Sequence, residues 1–276
     1  MEQVNCLNLC EILPYLMKKR KNLLEILEDS KKLAGYTSCE RLYLGSSFCG
    51  KYFLHQSIEE IKELVNIAEG EGQKIVLEVP VFSEGDLGLG KHKIEQILMI
   101  GGDIIDEITV NDYGMLPYVR KSFQQSVNLG RMFMKDYRDP RYEEYFQIPW
   151  KPKVYTRFFK ALLKEYQVKG LEFDITHQNV DFSENPEGVT IGIHVPYCYQ
   201  TVGRICEFAS IHKDIMNKYR PNTACGTDCM DNLVKYTIDD GNREYVRFGR
   251  TVYFKHPGFE IKGLNQFRLI YFPIDL

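Results

Sequence analysis

No stretch of the 276-residue chain approaches the roughly 18 uncharged apolar residues that a membrane-crossing helix requires. The first residues, Met1-Glu2-Gln3-Val4-Asn5-Cys6, lack the basic segment and apolar run of a secretion signal, so a cytoplasmic protein is expected. An excess of one charge is also missing: Lys+Arg number 35 against Asp+Glu 38, a net charge of −3. Nucleic-acid binding through bulk charge is therefore disfavoured, because that affinity comes largely from neutralised phosphates. There is no internal repeat, no Ser/Gly linker and no long block of like charge. Neither GxGxxG nor GxxxxGKS/T occurs, and Gly85, Gly88 and Gly90 have the wrong spacing for a phosphate cradle. HExxH, GxSxG and a papain-type cysteine signature are missing too, so a hydrolytic reading lacks support.

What is present is an alternation of strand and helix patterns. Strand patterns stand at Arg41–Gly45, Lys74–Phe82, Asp106–Val110, Val127–Arg131, Gly170–Ile175, Val189–Val195, Thr251–Lys255 and Phe267–Phe272. Helical spacing marks 11–34, 58–70, 91–100, 115–121 and 155–167. Strand–helix–strand units imply parallel strands joined by right-handed crossovers. The expectation is one α/β domain over 1–276: a TIM-type (β/α) barrel, incomplete or irregular near its end. A short loop separates the last two strands. One of them is therefore a candidate for a hairpin outside the barrel, with Gln3–Cys10 supplying the missing strand. A doubly wound open sheet is the alternative.

Eight cysteines in a reducing compartment argue against a disulfide framework and leave metal binding or plain burial. Cys225 and Cys229 form a CxxxC, with Cys206 19 positions before it. Cys49 follows the Arg41–Gly45 strand. In a parallel barrel all strand ends share one face, so Cys49 and Cys206 can meet there. Four thiolates on one rim suit a metal, and spacing does not separate zinc from an iron–sulfur cluster. Cys6, Cys10, Cys39 and Cys198 are read as structural or surface residues.

Tyr43-Leu44-Gly45 with Cys49, Asn111-Asp112 with Gly114, Arg204 with Cys206, and the closing Cys225/Cys229 pair form an ordered set. In that order they resemble the collagenase-like peptidase family of unassigned catalytic type (family U, thirty-two). The likeness is to its short, single-domain, UbiV-like branch. The resemblance covers roughly residues 40–276 and implies a TIM-type barrel with a 4Fe–4S cluster near its C-terminal face. Cys49, Cys206, Cys225 and Cys229 are then the ligands, on an insertion of about 206–232 for the last three. It further implies oxygen-independent hydroxylation or a related redox modification, with prephenate as an anionic donor and a homologous barrel as partner subunit. The chain would be an oxidoreductase or hydroxylase component, or a non-catalytic cluster- or zinc-bearing subunit, rather than a peptidase. Two features depart from that pattern. Ile205 separates Arg204 from Cys206, and Leu129-Gly130-Arg131 stands where an Asn is usual. Residues 132–156 match nothing in it.

Polar residues at strand ends extend the set of candidates: Asn111, Asp112, Arg131, Asp174, His177, His194, Tyr197 and His256. Asp112 is either a helix cap or a ligand contact. Arg131 ends a buried strand and needs a partner, either an internal carboxylate such as Asp112 or an anionic ligand. Asp112, Arg131 and the proton carrier His177 form the proposed catalytic set. His194, in an apolar strand, reads as a satisfied core residue. A helix over Ile211–Tyr219 is expected to cover the cysteines, with Phe208 and Ile215 facing inward.

Overall fold

The apolar strand runs assemble into a closed barrel of eight parallel strands with helices around it. The computed structural model describes all residues except 1, 21, 135–151, 153, 154, 176–179, 222, 239–242, 257, 259, 260 and 262. In chain order the barrel strands are β1 (Glu2–Asn8), β2 (Arg41–Gly45), β3 (Lys74–Val79), β4 (Ile105–Val110), β5 (Ser126–Leu129), β6 (Gly170–Asp174) and β7 (Thr190–Val195). The eighth, β12 (Gln266–Tyr271), closes the ring by pairing with both β7 and β1. Between β7 and β12 the chain leaves the barrel and forms an antiparallel sheet in the order β8-β11-β10-β9. Its members are β8 (Tyr197–Val202), β9 (Val234–Ile238), β10 (Arg243–Phe248) and β11 (Thr251–Lys255).

Thus Thr251–Lys255 is a hairpin strand outside the barrel, and the N-terminal segment supplies the strand that the barrel lacked. The three other strands of the added sheet were not expected. β9 is mostly exposed and β10 alternates weakly, so neither carries a clear apolar signal.

Helices α1 (Leu13–Arg20), α2 (Leu23–Ala34), α3 (Gly50–His55), α4 (Ile58–Gly70), α5 (Leu87–Gly101), α6 (Met115–Ser122) and α7 (Arg157–Glu165) surround the barrel. Their starts follow from their caps. Asn22 Oδ1 accepts from the Leu24 N–H (2.9 Å), Ser57 Oγ from Glu60 N–H (3.3 Å) and Thr156 Oγ1 from Phe159 N–H (3.2 Å). The expected helix over 11–34 is two helices, because Asn22 caps a fresh start.

The main apolar core lies between strands and helices, where Ile61, Leu64, Ile94 and Ile97 meet Leu42, Leu44, Ile75 and Leu77. Inside the barrel a second apolar cluster holds only Cys6, Cys10, Tyr43, Val76 and Ile270. The rest of the interior is polar. Bulky branched residues usually fill such barrels; here Glu78, Glu107, Asn128, Glu172 and His194 are buried instead. Glycine opposite makes room for them: a Cβ at Gly170 would lie 2.5 Å from Asn128 Oδ1.

Near the N-terminal ends of the strands, Arg268 grips Glu107 with both guanidinium nitrogens (2.5 and 2.7 Å). Arg41 adds a contact at 3.1 Å and Asn128 a hydrogen bond of 2.6 Å. Burial pushes the Glu107 carboxyl up, but Arg268, Arg41 and Asn128 outweigh it and hold it below the usual range. The stabilisation is therefore complete above the unfolded carboxyl value, about 4.3, and is lost as pH falls through the folded one. Glu107→Gln is expected to lower the urea midpoint at neutral pH and to flatten its decline below about pH 4. Urea titrations across pH check this; an unchanged acid slope would show that the pair does not set it.

Candidate functional site

The loop after β2 is fixed by backbone geometry and one buried acid. Gly45 has φ +111°, and a Cβ there would sit 2.3 Å from the Glu78 carbonyl oxygen, so only glycine fits. Glu11 then clasps the loop: its Oε1 accepts from Ser46 Oγ (2.6 Å) and from the Phe48 N–H (3.0 Å). Ser46 Oγ in turn accepts from the Cys49 N–H (2.8 Å). Cys49 is thereby presented at the mouth formed by the C-terminal strand ends.

The other three cysteines come from the segment between β8 and β9. In the second pair, Thr227 adopts φ +60° and folds the chain back, so its N–H points at Cys225 Sγ (3.3 Å). His212 braces that turn through Asp228 (3.2 Å), and Lys213 does so through the Ala224 carbonyl (2.8 Å). Arg250, at the β10–β11 turn, donates to the Phe48 carbonyl and so ties the sheet to the Cys49 loop.

Cys49, Cys206, Cys225 and Cys229 all line one cavity, whose empty space including its mouth is about 810 Å³. Cys229 is buried and the other three are half-buried. Cys6, Cys10, Cys39 and Cys198 lie elsewhere in buried positions. Glu11, Lys51, Asp86, Arg204, Arg220 and Arg250 give the same cavity its charge. Asp86 is bonded to Lys51 (2.7 Å) and Ser83 (2.6 Å), so the arginines leave the cavity wall positive.

Burial pushes the Cys49 thiol up, with Arg250 partly opposing it. Burial and the three neighbouring thiols push Cys229 up. Glu11 is likewise raised, chiefly by burial, and its Oε2 has no hydrogen-bond partner. The donor set is four soft sulfurs, which suits iron–sulfur or zinc chemistry. Among the described residues, no three cysteine sulfurs lie within 4.8 Å of one another. Tetrahedral zinc with bonds of about 2.3 Å would hold them about 3.8 Å apart.

The cover over the cysteines differs from expectation. Ile211–Tyr219 forms turns rather than a helix. Asp214 Oδ1 takes the N–H groups of Met216 and Asn217 (3.0 and 3.2 Å), a local bond that competes with helix. Tyr219 at φ +57° then reverses the chain. Phe208 faces inward as expected, whereas Ile215 is 87% exposed.

Arg131 and Asp112 do not meet. Asp112 Oδ1 accepts from the Gly114 N–H (3.0 Å) in a local turn before α6, whose cap position is Gly114. Arg131 is fully buried, 3.2 Å from Asp174, bonded to Ser47 Oγ (2.9 Å) and stacked 4.7 Å from the Phe48 ring. Burial opposes its charge, but Asp174 and nearby groups outweigh that and raise it above the ordinary guanidinium value. Its partner is thus an internal carboxylate, from β6 rather than from the β4 loop. Asn111 is buried against Glu78 (2.8 Å), Tyr197 Oη lies 2.6 Å from Asp275, and His256 Nδ1 accepts from the Gly258 N–H. His194 is buried beside Glu172 (2.9 Å). His177 lies outside the described residues.

Glu11, Glu78 and Glu172 were missed, although two of them gave a signal. Glu78 and Glu172 interrupt otherwise apolar strand runs, and a buried charge needs a partner. Searches against known proteins return no matching family model, curated protein or solved structure.

Asp174→Asn should leave the Arg131 guanidinium buried without a counter-charge and destabilise the fold by about 3–5 kcal/mol. Asp112→Asn should cost under about 1 kcal/mol. Chemical denaturation of both variants measures this; equal losses would mean that Arg131 does not depend on Asp174.

Proposed function

We propose that the chain is an iron–sulfur barrel protein in which Cys49, Cys206, Cys225 and Cys229 hold a 4Fe–4S cluster at the C-terminal mouth. The observation that carries this is the meeting of Cys49 with the distant Cys206, Cys225 and Cys229 in one cavity, while the other four cysteines lie apart from it. Four thiol donors alone suit either zinc or a cluster, and the family resemblance favours the cluster. When bound, such a cluster supplies one-electron transfer, and four thiolate ligands leave no iron site open.

The chain's own residues suggest what is handled there. Arg204, Arg220 and Arg250 make the wall attractive to an anionic small molecule, with the guanidinium fork suited to a carboxylate. Prephenate belongs to that chemical class. Glu11 keeps its proton more tightly than an exposed carboxyl and turns a free Oε2 inside the same wall, where it holds a proton for exchange. With the family resemblance, these features support a component of oxygen-independent hydroxylation or a related redox modification.

A second reading, a cluster-bearing subunit that assembles with a homologous barrel, draws on exposed apolar side chains beside the cysteines. Ile205, Ile211, Met216 and Tyr219 are all exposed there. Co-purification with a second barrel protein would favour it.

Protein purified without oxygen is expected to be brown and to hold about four irons per chain. Cys225→Ser should lose colour and most of the iron, while Cys39→Ser should keep both. Iron analysis and visible absorption decide this. Colourless wild-type protein, or equal iron in the two variants, would overturn the reading.

A further inference from the structure

The barrel interior holds a second group of candidate ligands, separate from the cysteine cavity. Glu78 on β3, Glu172 on β6 and His194 on β7 are buried, and one ligand atom from each lies within 4.8 Å of the others. We propose that Glu78, Glu172 and His194 bind a first-row divalent transition-metal ion inside the barrel.

The hydrogen bonds pair Glu172 with His194 and turn one Glu78 oxygen toward them, so a metal would replace the proton contacts within the group. Glu78 Oε2 accepts from Asn111 Nδ2 (2.8 Å), and its other oxygen is buried with no donor but the neighbouring Glu172 carboxyl, which it meets only through a shared proton. Glu172 Oε1 accepts from Thr109 Oγ1 (2.7 Å), and Oε2 faces His194 Nε2 at 2.9 Å. That contact is a hydrogen bond, and its length also equals the ligand–ligand edge of about 3 Å for metal bonds of about 2.1 Å, so a metal can take the proton's place without moving either residue. Outer contacts that orient each ligand are what a metal site requires. Tyr43 Oη, also buried and without a partner, belongs to a ring in edge contact with His194, 6.1 Å between centroids.

Charge points the same way. Asp174 is answered by Arg131, and Glu107 by Arg268 and Arg41. Among the described residues, Glu78 and Glu172 have no Lys or Arg within ion-pair distance. Their one basic neighbour is His194. Two adjacent buried carboxylates need a dication or must keep a proton. The mixture of imidazole and carboxylate suits manganese, iron, cobalt or zinc better than calcium. Loading balances in protons. The imidazole proton moves from Nε2 to Nδ1, and the Asn8 amide, 3.4 Å away, turns its oxygen toward it and gives up its bond from the Cys10 N–H. The proton otherwise shared by the two carboxyls leaves to solvent.

Cobalt is the probe, because its spectrum reports its ligands. The full chain carrying Cys225→Ser, to weaken the thiol site, is produced in cobalt-supplemented medium so that metal enters as the protein folds. About one cobalt ion per chain should survive desalting, with weak visible bands and no sulfur-to-cobalt charge transfer. Glu172→Gln should cut retention about tenfold or more. Glu78→Gln keeps the same shape and imitates the protonated carboxyl, so it should fold at least as well, by circular dichroism and urea midpoint, yet also lose cobalt. Folded Cys225→Ser chain that retains no cobalt would overturn the proposal in favour of a shared proton. Equal retention in folded Glu78→Gln would overturn it as well. None of these outcomes depends on whether the cysteines hold iron.

Discussion

Charge buried inside the barrel is the constraint on which the rest of the structure depends. Glu11, Glu78, Glu107, Glu172 and Asp174 are all withdrawn from water, where an uncompensated carboxylate is costly. Near the N-terminal strand ends, Arg268 and Arg41 answer Glu107. At the opposite mouth, Arg131 answers Asp174. Small residues at Gly170 and Gly192 give the longer polar side chains their space. With so few apolar residues inside, the hydrophobic contribution comes mainly from the layer between strands and helices.

That polar mouth is joined to the added sheet through one aromatic residue. Phe48 donates its N–H to Glu11, accepts from Arg250 at its carbonyl, and lies under the Arg131 guanidinium. Its ring also packs against Tyr199 of β8 and Tyr253 of β11, with centroids 4.8 and 6.1 Å apart. Barrel loop, buried ion pair and sheet therefore share one contact point, and Cys49 is the next residue in the chain. The positions of the cysteines are thus coupled to the fold of the barrel rather than carried by a free loop.

The sheet is inserted between two adjacent barrel strands, β7 and β12, so its entry and exit are held side by side. This lets a long excursion return without opening the ring. It also explains how Cys206, Cys225 and Cys229 reach the mouth from far along the chain, since β8 starts directly after β7.

Periodicity and composition were enough for the α/β barrel, for most of its strands and for the separation of four cysteines from the other four. Apolar runs such as Ile75–Leu77 are local signals, and strand order follows from short right-handed connections. The capped starts of α4 and α7 are local too. What the tertiary structure alone decided was pairing at a distance. Arg131 takes Asp174 rather than Asp112 although β4 and β6 both flank β5, because Asp112 is used by its own turn. Glu78, Glu172 and His194 converge because inward-facing positions of separate strands meet across the barrel, which no spacing within a strand encodes. The turns over 211–219 replace a helix because Asp214 captures the backbone donors locally, and that choice becomes visible only in the folded chain.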